Sequence, residues 1–149
     1  MAITRMSFTV QDGPIIRLRV ALPRAIILAR QQAGFVTAAP VEVDALIDTG
    51  AEATCVDNPI ITQLGLPATT GTLANVPSLG GITGSVMYSA GLTLLQHTNK
   101  RTQHLDISAI PVLGLNLSTF GVKAVLGRDV LAYCVLIYDG LTGTFTLSY

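Results

Sequence analysis

Apolar residues along this chain fall in short runs, and Gly, Pro, Asn and Asp divide those runs into strand-length pieces. Ser7–Val10 and Ile15–Leu22 read as two strands flanking Asp12-Gly13-Pro14, a turn signal, so the pattern predicts a β-hairpin there. Ala25–Arg30 is short and apolar and fits either a strand or a helical turn. Ala39-Pro40 separates it from Val41–Ile47. That segment alternates Val, Glu, Val, Asp and then turns fully apolar, as a strand does when its end becomes buried. Thr54–Val56 reads as the next strand. Asn58 as N-cap and Pro59 at the first helical position open a helix through Ile60, Ile61 and Leu64, which stops near Gly65.

The second half follows the same punctuation. Residues 68–85 are rich in Thr, Gly, Ser and Pro, which predicts a flexible stretch with few core anchors. Val86–Leu95 and Leu105–Val112 read as strands around a polar loop at 96–104. Ala124–Leu126 is a short apolar run ended by Gly127, and Arg128–Tyr133 fits a helix. Val135–Tyr138 and Thr144–Leu147 flank the turn Asp-Gly-Leu-Thr-Gly, a second hairpin. No internal repeat is visible. Many short strands with one or two short helices predict an all-β, barrel-like fold. At 149 residues the chain is expected to form a single domain, 1–149, with a real core.

Composition adds limits. Half the residues are hydrophobic and only 12% are charged, which hints at more apolar surface than a monomer buries, and so at self-association. Nine basic and nine acidic residues cancel and no basic block appears, so nucleic acid is not an expected partner. No apolar run approaches the roughly 20 residues of a membrane span, and the N-terminus lacks an apolar core of signal-peptide length. No membrane partner is expected, and a cytoplasmic location is. Two cysteines, Cys55 and Cys134, make no disulfide framework. With His97 and His104 they do not reach metal-ligand spacing, so neither metal nor cofactor is expected. No nucleophile elbow, phosphate loop or dinucleotide fingerprint is present.

One stretch carries chemistry. In Ala45-Leu46-Ile47-Asp48-Thr49-Gly50-Ala51 an apolar strand delivers a carboxylate to a tight turn. A buried, unpaired carboxylate is costly, so such an acid is paired, protonated or used. Asp-Thr-Gly alone is weak evidence, since ordinary composition yields one by chance in roughly a few per cent of chains this long. Position strengthens it, because turn triplets usually sit in polar loops. Far along the chain, Ala124-Val125-Leu126-Gly127-Arg128-Asp129 joins an apolar run to a helix that starts with charges.

Together these motifs resemble the retropepsin-like aspartic proteases, the single-domain family of retroviral proteases and their cellular and bacterial relatives. The family pattern is apolar-apolar-Asp-Thr/Ser-Gly-Ala, then a glycine-rich flap, then apolar-apolar-Gly-Arg before a short helix. Here Leu46–Ala51, Gly80-Gly81-Ile82-Thr83-Gly84 and Val125–Asp129 occupy those places, and the resemblance covers roughly residues 40–138. It implies a closed-barrel acid-protease lobe. It also implies Asp48, Thr49 and Gly50 as the catalytic loop. Ala51, Glu52 and the flap residues Gly80, Gly81, Ile82, Thr83 and Gly84 would bind substrate. Leu126, Gly127, Arg128 and Asp129 would support the site. A single Asp-Thr-Gly per chain implies a homodimer, with the second Asp48 coming from another copy and Thr49 bonding across to it.

The resemblance further implies an aspartic endopeptidase acting on peptides or proteins, without cofactor. The alternative is a catalytically weak or inactive peptide-binding or dimerisation module on the same barrel. Glu52 and Arg128 are expected to pair and fix the Gly127 turn against the Asp loop. Asp129 is expected to cap the last helix, and Cys55 to be a buried, inert thiol. Where viral members use a C-terminal strand in the dimer, this chain continues as Val135–Tyr149, a whole hairpin.

Overall fold

The structure is a computed structural model that describes residues 3–69, 72–76, 81–95 and 104–149. Six strands close into a barrel in the order β2 (Ile15–Ala21), β3 (Val41–Ile47), β9 (Ala124–Leu126), β4 (Cys55–Asp57), β8 (Leu105–Leu115) and β7 (Met87–Leu94). β7 closes on β2 with Leu18 opposite Leu94. Alternation fills the inside, as period-2 patterning requires. Ile16, Leu18 and Val20 of β2 are fully buried, and Val43, Ala45 and Ile47 of β3 join them with Leu92, Leu94, Val112 and Leu126. The outward positions of the same strands pair charges across the ladder. Arg17 faces Asp44 at 3.0 Å and Arg19 faces Glu42 at 2.7 Å. That is why β3 reads Val-Glu-Val-Asp.

A separate three-stranded sheet packs on the barrel in the order β1 (Ile3–Ser7), β11 (Thr144–Ser148), β10 (Val135–Asp139). The second predicted hairpin is therefore present as β10–β11. The first is not. β1 pairs with β11, Ile3 opposite Ser148, while β2 pairs with β3 and β7. The turn signal was real but serves a corner. Thr9 Oγ1 donates to Asp12 Oδ2 (2.6 Å), Gly13 N donates to Thr9 O (2.9 Å), and Gly13 takes φ +70°. Phe8 N then donates to Gly143 O (2.8 Å), and its ring stacks on Tyr138 at 4.5 Å. The terminal hairpin captures the segment that local pattern assigned to β2.

Among the described residues three helices decorate the strands. The ambiguous run at 25–30 is helical, as part of α1 (Arg24–Gln32). α2 (Asn58–Leu64) buries Ile60, Ile61 and Leu64 and ends on Gly65, whose φ of +61° is the left-handed conformation that suits glycine. Its N-cap residue is Asp57 rather than Asn58. α3 (Arg128–Leu131) is a single turn. Within 68–85 the backbone forms a two-stranded ribbon, β5 (Thr72–Val76) with β6 (Gly81–Ser85), and not simply loose chain.

Asp57 is 1% exposed and ties two distant segments together. Its Oδ1 accepts from Leu117 N (3.0 Å) and its Oδ2 from Lys123 Nζ (2.9 Å). Burial alone would raise its pKa. The Leu117 N–H, the Lys123 ammonium and the Asn58 N–H outweigh burial and hold it below the usual carboxylate range. This bond set leads the 116–123 connection into β9. A depressed native pKa means that the unfolded chain binds more protons, so this stabilisation is present at neutral pH and lost on acidification below about pH 4. Asp57→Ala strands the buried Leu117 N–H and releases the half-exposed Lys123 ammonium to solvent, at a cost of about 1–3 kcal/mol. Urea denaturation at pH 7 and pH 3 checks this. The gap between the wild type and Asp57→Ala should be wide at pH 7 and narrow at pH 3.

Candidate active site

β3 and β9 run parallel, with Ala45 opposite Ala124, Leu46 opposite Val125 and Ile47 opposite Leu126. The two strands leave the barrel side by side. One enters Asp48-Thr49-Gly50 and the other enters Gly127-Arg128-Asp129. Asp48 N donates to Leu126 O (3.0 Å) and extends the pairing into the loop. Parallel neighbours need a long crossover, and here that crossover makes distant motifs adjacent.

The Asp loop is tight. Asp48 Oδ1 accepts from Gly50 N (2.8 Å), and Ala51 N donates to Asp48 O (3.2 Å). Asp48 is half-buried, Thr49 and Gly50 are exposed, and Ala51 is fully buried. Ala51 sits in a small second core with Cys55, Leu113, Leu115, Leu117 and Val125, which holds the loop from beneath. Leu126 is fully buried in the main core.

Arg128 brackets this loop. Its Nη1 donates to Thr49 O (3.0 Å) and Gly50 O (3.2 Å), and its backbone N–H donates to Ala51 O (2.9 Å). The expected ion pair is present but long, Nη2 to Glu52 Oε1 at 3.8 Å on exposed side chains. Such a pair contributes under about 1 kcal/mol. The two carbonyls, not Glu52, are the arginine's closer partners. Gly127 is a glycine because of space: a Cβ there would lie 2.6 Å from the carbonyl carbon of Ala53.

Thr54, read from sequence only as a strand residue, is the hub of the junction. Its side chain is fully buried. Its hydroxyl accepts from Gly127 N (3.0 Å) and donates to Asp129 Oδ1 (2.8 Å), while its N–H donates to Asp129 Oδ2 (3.0 Å). Asp129 is thus more than a helix cap. Gly127 takes the N-cap position, and Asp129, in the first turn, bonds Val130 N (2.9 Å) while clamping Thr54. The local mark of Thr54 in the sequence is a hydroxyl residue inside an otherwise apolar run. Its partner was invisible because it lies far along the chain.

Cys55 is fully buried, and burial pushes its thiol up to about 12, with the Asp129 and Asp48 charges adding to the rise. It stays protonated and inert, as expected. Asp48 and Thr49 open onto a concavity of about 240 Å³ shared with Pro14, Ile47, Leu136 and Tyr138. Leu136 and Tyr138 were not anticipated there, since they come from the terminal hairpin. Gly81, Ile82, Thr83 and Gly84 lie on β6, with Ile82 opposite Asn75 and Thr83 opposite Ala74. Gly80 lies outside the described residues. Among the described residues no cluster of three or more His, Cys, Asp or Glu could hold a metal, and no helix is long and apolar enough to cross a membrane.

Replacing Thr54 by valine keeps its shape and removes its hydroxyl. Gly127 N is left without its acceptor and Asp129 Oδ1 loses a donor, at a cost of about 2–3 kcal/mol. A urea midpoint lowered accordingly, with an unchanged slope, is the expected result.

The comparisons with known proteins agree with this geometry. A family model described as retroviral aspartyl protease matches residues 11–136. Among solved structures, a retropepsin-like aspartic protease from Rickettsia conorii superposes with a TM-score of 0.59 at 14% identity, covering 99% of this chain and 91% of that one. EIAV protease in complex with the inhibitor HBY-793 matches at a TM-score of 0.47 and 15% identity, over 86% of this chain and 93% of that one. No curated protein matches the sequence. On the match across residues 11–136, this mainly-β, closed-barrel chain belongs to the retroviral aspartyl protease family.

Proposed function

We propose that the chain is an aspartic endopeptidase that acts as a homodimer, with one Asp48 from each copy sharing the active site. The observation that carries this reading is a single half-exposed Asp48 on a loop that Arg128 brackets from below. The loop is rigid and its carboxylate faces a concavity, yet amide hydrolysis by carboxylates alone needs a base and an acid together. One chain supplies one such carboxylate to this concavity. A twofold axis beside Thr49 supplies the other.

Two carboxylates brought to about 3 Å cannot both ionise, so the pair holds one proton between them. The ionised Asp48 takes a proton from the attacking water. The protonated one donates to the substrate carbonyl oxygen. Collapse of the tetrahedral adduct then returns a proton to the leaving amine. Gly50 N–H on Asp48 Oδ1 keeps the carboxylate oriented for this exchange. Thr49, exposed at the rim, bonds across to the second copy. The exposed Glu52 continues from the loop toward substrate while Ala51, buried beneath it, supports the loop, and the β5–β6 ribbon, bearing the Gly81–Gly84 run, closes over the bound peptide and excludes water. The free thiols Cys55 and Cys134 fit a cytoplasmic, reducing setting.

Two measurements check this. The purified protein is incubated with a diverse peptide mixture at about pH 4 to 7. Asp48→Asn should lower cleavage by at least about a hundredfold while the dimer persists. Cleavage that is equal in the mutant excludes the mechanism. Arg128→Lys should lower kcat/KM by about tenfold or more, because an ammonium does not reproduce the planar fork that spans the two carbonyls.

A further inference from the structure

Resting on the peptide-cleaving reading above, the structure also points to a second place where a substrate chain is held. We propose that the hollow between α2, β7 and the end of β8 is an exosite. It binds an uncharged, aliphatic segment of a protein substrate, away from the bond that is cut.

The hollow measures about 480 Å³, twice the 240 Å³ of the concavity at Asp48, and shares no residue with it. Ile61, Val86 and Leu115 give it aliphatic walls, while Asn58, Tyr88 and Asn116 bring polar groups. Among the described residues no charged side chain lines it. Its polar groups are free to bind. Within the described chain the Asn58 carboxamide and the Tyr88 hydroxyl have no hydrogen-bond partner. Asn116 Oδ1 accepts from Ser118 N (3.1 Å), which leaves its Nδ2 to donate. Gly114 draws two of these groups together. A Cβ there would lie 2.8 Å from Tyr88 Cε2 and 2.9 Å from Asn58 Oδ1, so ring and carboxamide meet over bare backbone.

Position ties the hollow to the catalytic loop. Met87 packs against the small core beneath the Asp loop. Its neighbours Val86 and Tyr88 face the other side of the strand and enter the hollow. Val86 directly follows the β5–β6 ribbon, and its carbonyl accepts from Gly114 N (3.2 Å). The hollow therefore sits at the root of the ribbon, on the face turned away from the Asp loop. Ten extended residues span about 33 Å, roughly the diameter of a small domain, so one unfolded segment of substrate reaches both places.

The lining selects the occupant. With no ionised group in the wall, a charged segment would lose its hydration without gaining a partner. A polyol would set hydroxyls against Ile61, Val86 and Leu115. A neutral peptide places an aliphatic side chain on those walls. Its peptide units, each with a donor and an acceptor, match the donor and acceptor of a carboxamide.

The test titrates isotope-labelled Asp48→Asn protein, which on the reading above holds peptide without cutting it. The probe is the capped peptide acetyl-Gly-Gln-Leu-Gln-Gly-amide, beside versions with lysine or glutamate in place of both glutamines, and cellobiose. Saturable shifts of the Val86, Gly114 and Asn116 amides are expected with the neutral peptide. Asn58→Ala combined with Tyr88→Phe should raise its Kd at least about fivefold. Gly114→Ala, which crowds the floor, should do the same. If Gly114→Ala misfolds, the first pair decides alone, because neither removed group holds anything in the fold. In otherwise wild-type protein that pair should also raise KM about fivefold for the longer peptides of the cleavage mixture. Shifts confined to Asp48–Ala51, no saturation with any probe, equal binding of the charged peptides or of cellobiose, or a Kd and KM that ignore Asn58 and Tyr88 each overturn the exosite. Asp48-dependent cleavage without binding here overturns the exosite and leaves the protease reading standing. Binding here by a chain whose cleavage ignores Asp48→Asn does the reverse.

Discussion

The parallel pairing of β3 with β9 is the constraint on which the rest of this structure depends. Three residue pairs join the strands, flanked by the Lys123 N–H to Asp44 carbonyl bond at one end and the Asp48 N–H to Leu126 carbonyl bond at the other. Each such bond is worth only about 1 kcal/mol net. Their effect comes from what is stacked on them. Ala51 and Val125 bury beneath the loop, Thr54 and Asp129 clamp the turn, and Arg128 ties down two carbonyls. Buried, mutually satisfied polar groups of this kind rigidify a site, because each partner is costly to orphan. The Asp loop is held from three directions within one chain.

Much of this was legible in the chain. The barrel strands stood out because one face is uniformly apolar and the other is punctuated by charge, most clearly in Val-Glu-Val-Asp. α2 was readable from Pro59 and Gly65, two residues whose backbone preferences act locally. The Asp loop and the Gly127-Arg128 turn were readable because each breaks a strongly apolar run. What escaped has one cause, which is that the information is held by a distant partner. The corner at Asp12-Gly13 carries the same local signal whether the next strand folds back or swings away. The choice was made by Gly143 and by the rings of Tyr138 and Phe145. Thr54 could not announce Asp129, and Asn58 looked like a cap until Asp57 proved to be the residue where the helix starts.

The terminal sheet is where this chain is most individual. A hairpin takes the place where the family resemblance suggests a single strand, and the chain's own β1 occupies the far side of β11. These three strands are paired with one another within one copy. The lobe carries more finished sheet of its own. That explains how Leu147 and Phe145 are fully buried in a single chain, and why Phe8 and Tyr138 meet ring to ring at its base.

The antiparallel match of Ile3 with Ser148 has a topological consequence. Cα atoms facing each other across such a ladder sit about 5 Å apart. A short glycine-rich linker between residues 3 and 148 would join them without disturbing the sheet, so the segment 3–148 is in effect a near-closed ring. The order in which its segments are translated is then separable from the barrel they build. A rearranged gene that opens the ring elsewhere, for example at the exposed Val36 after α1, keeps every ladder described above.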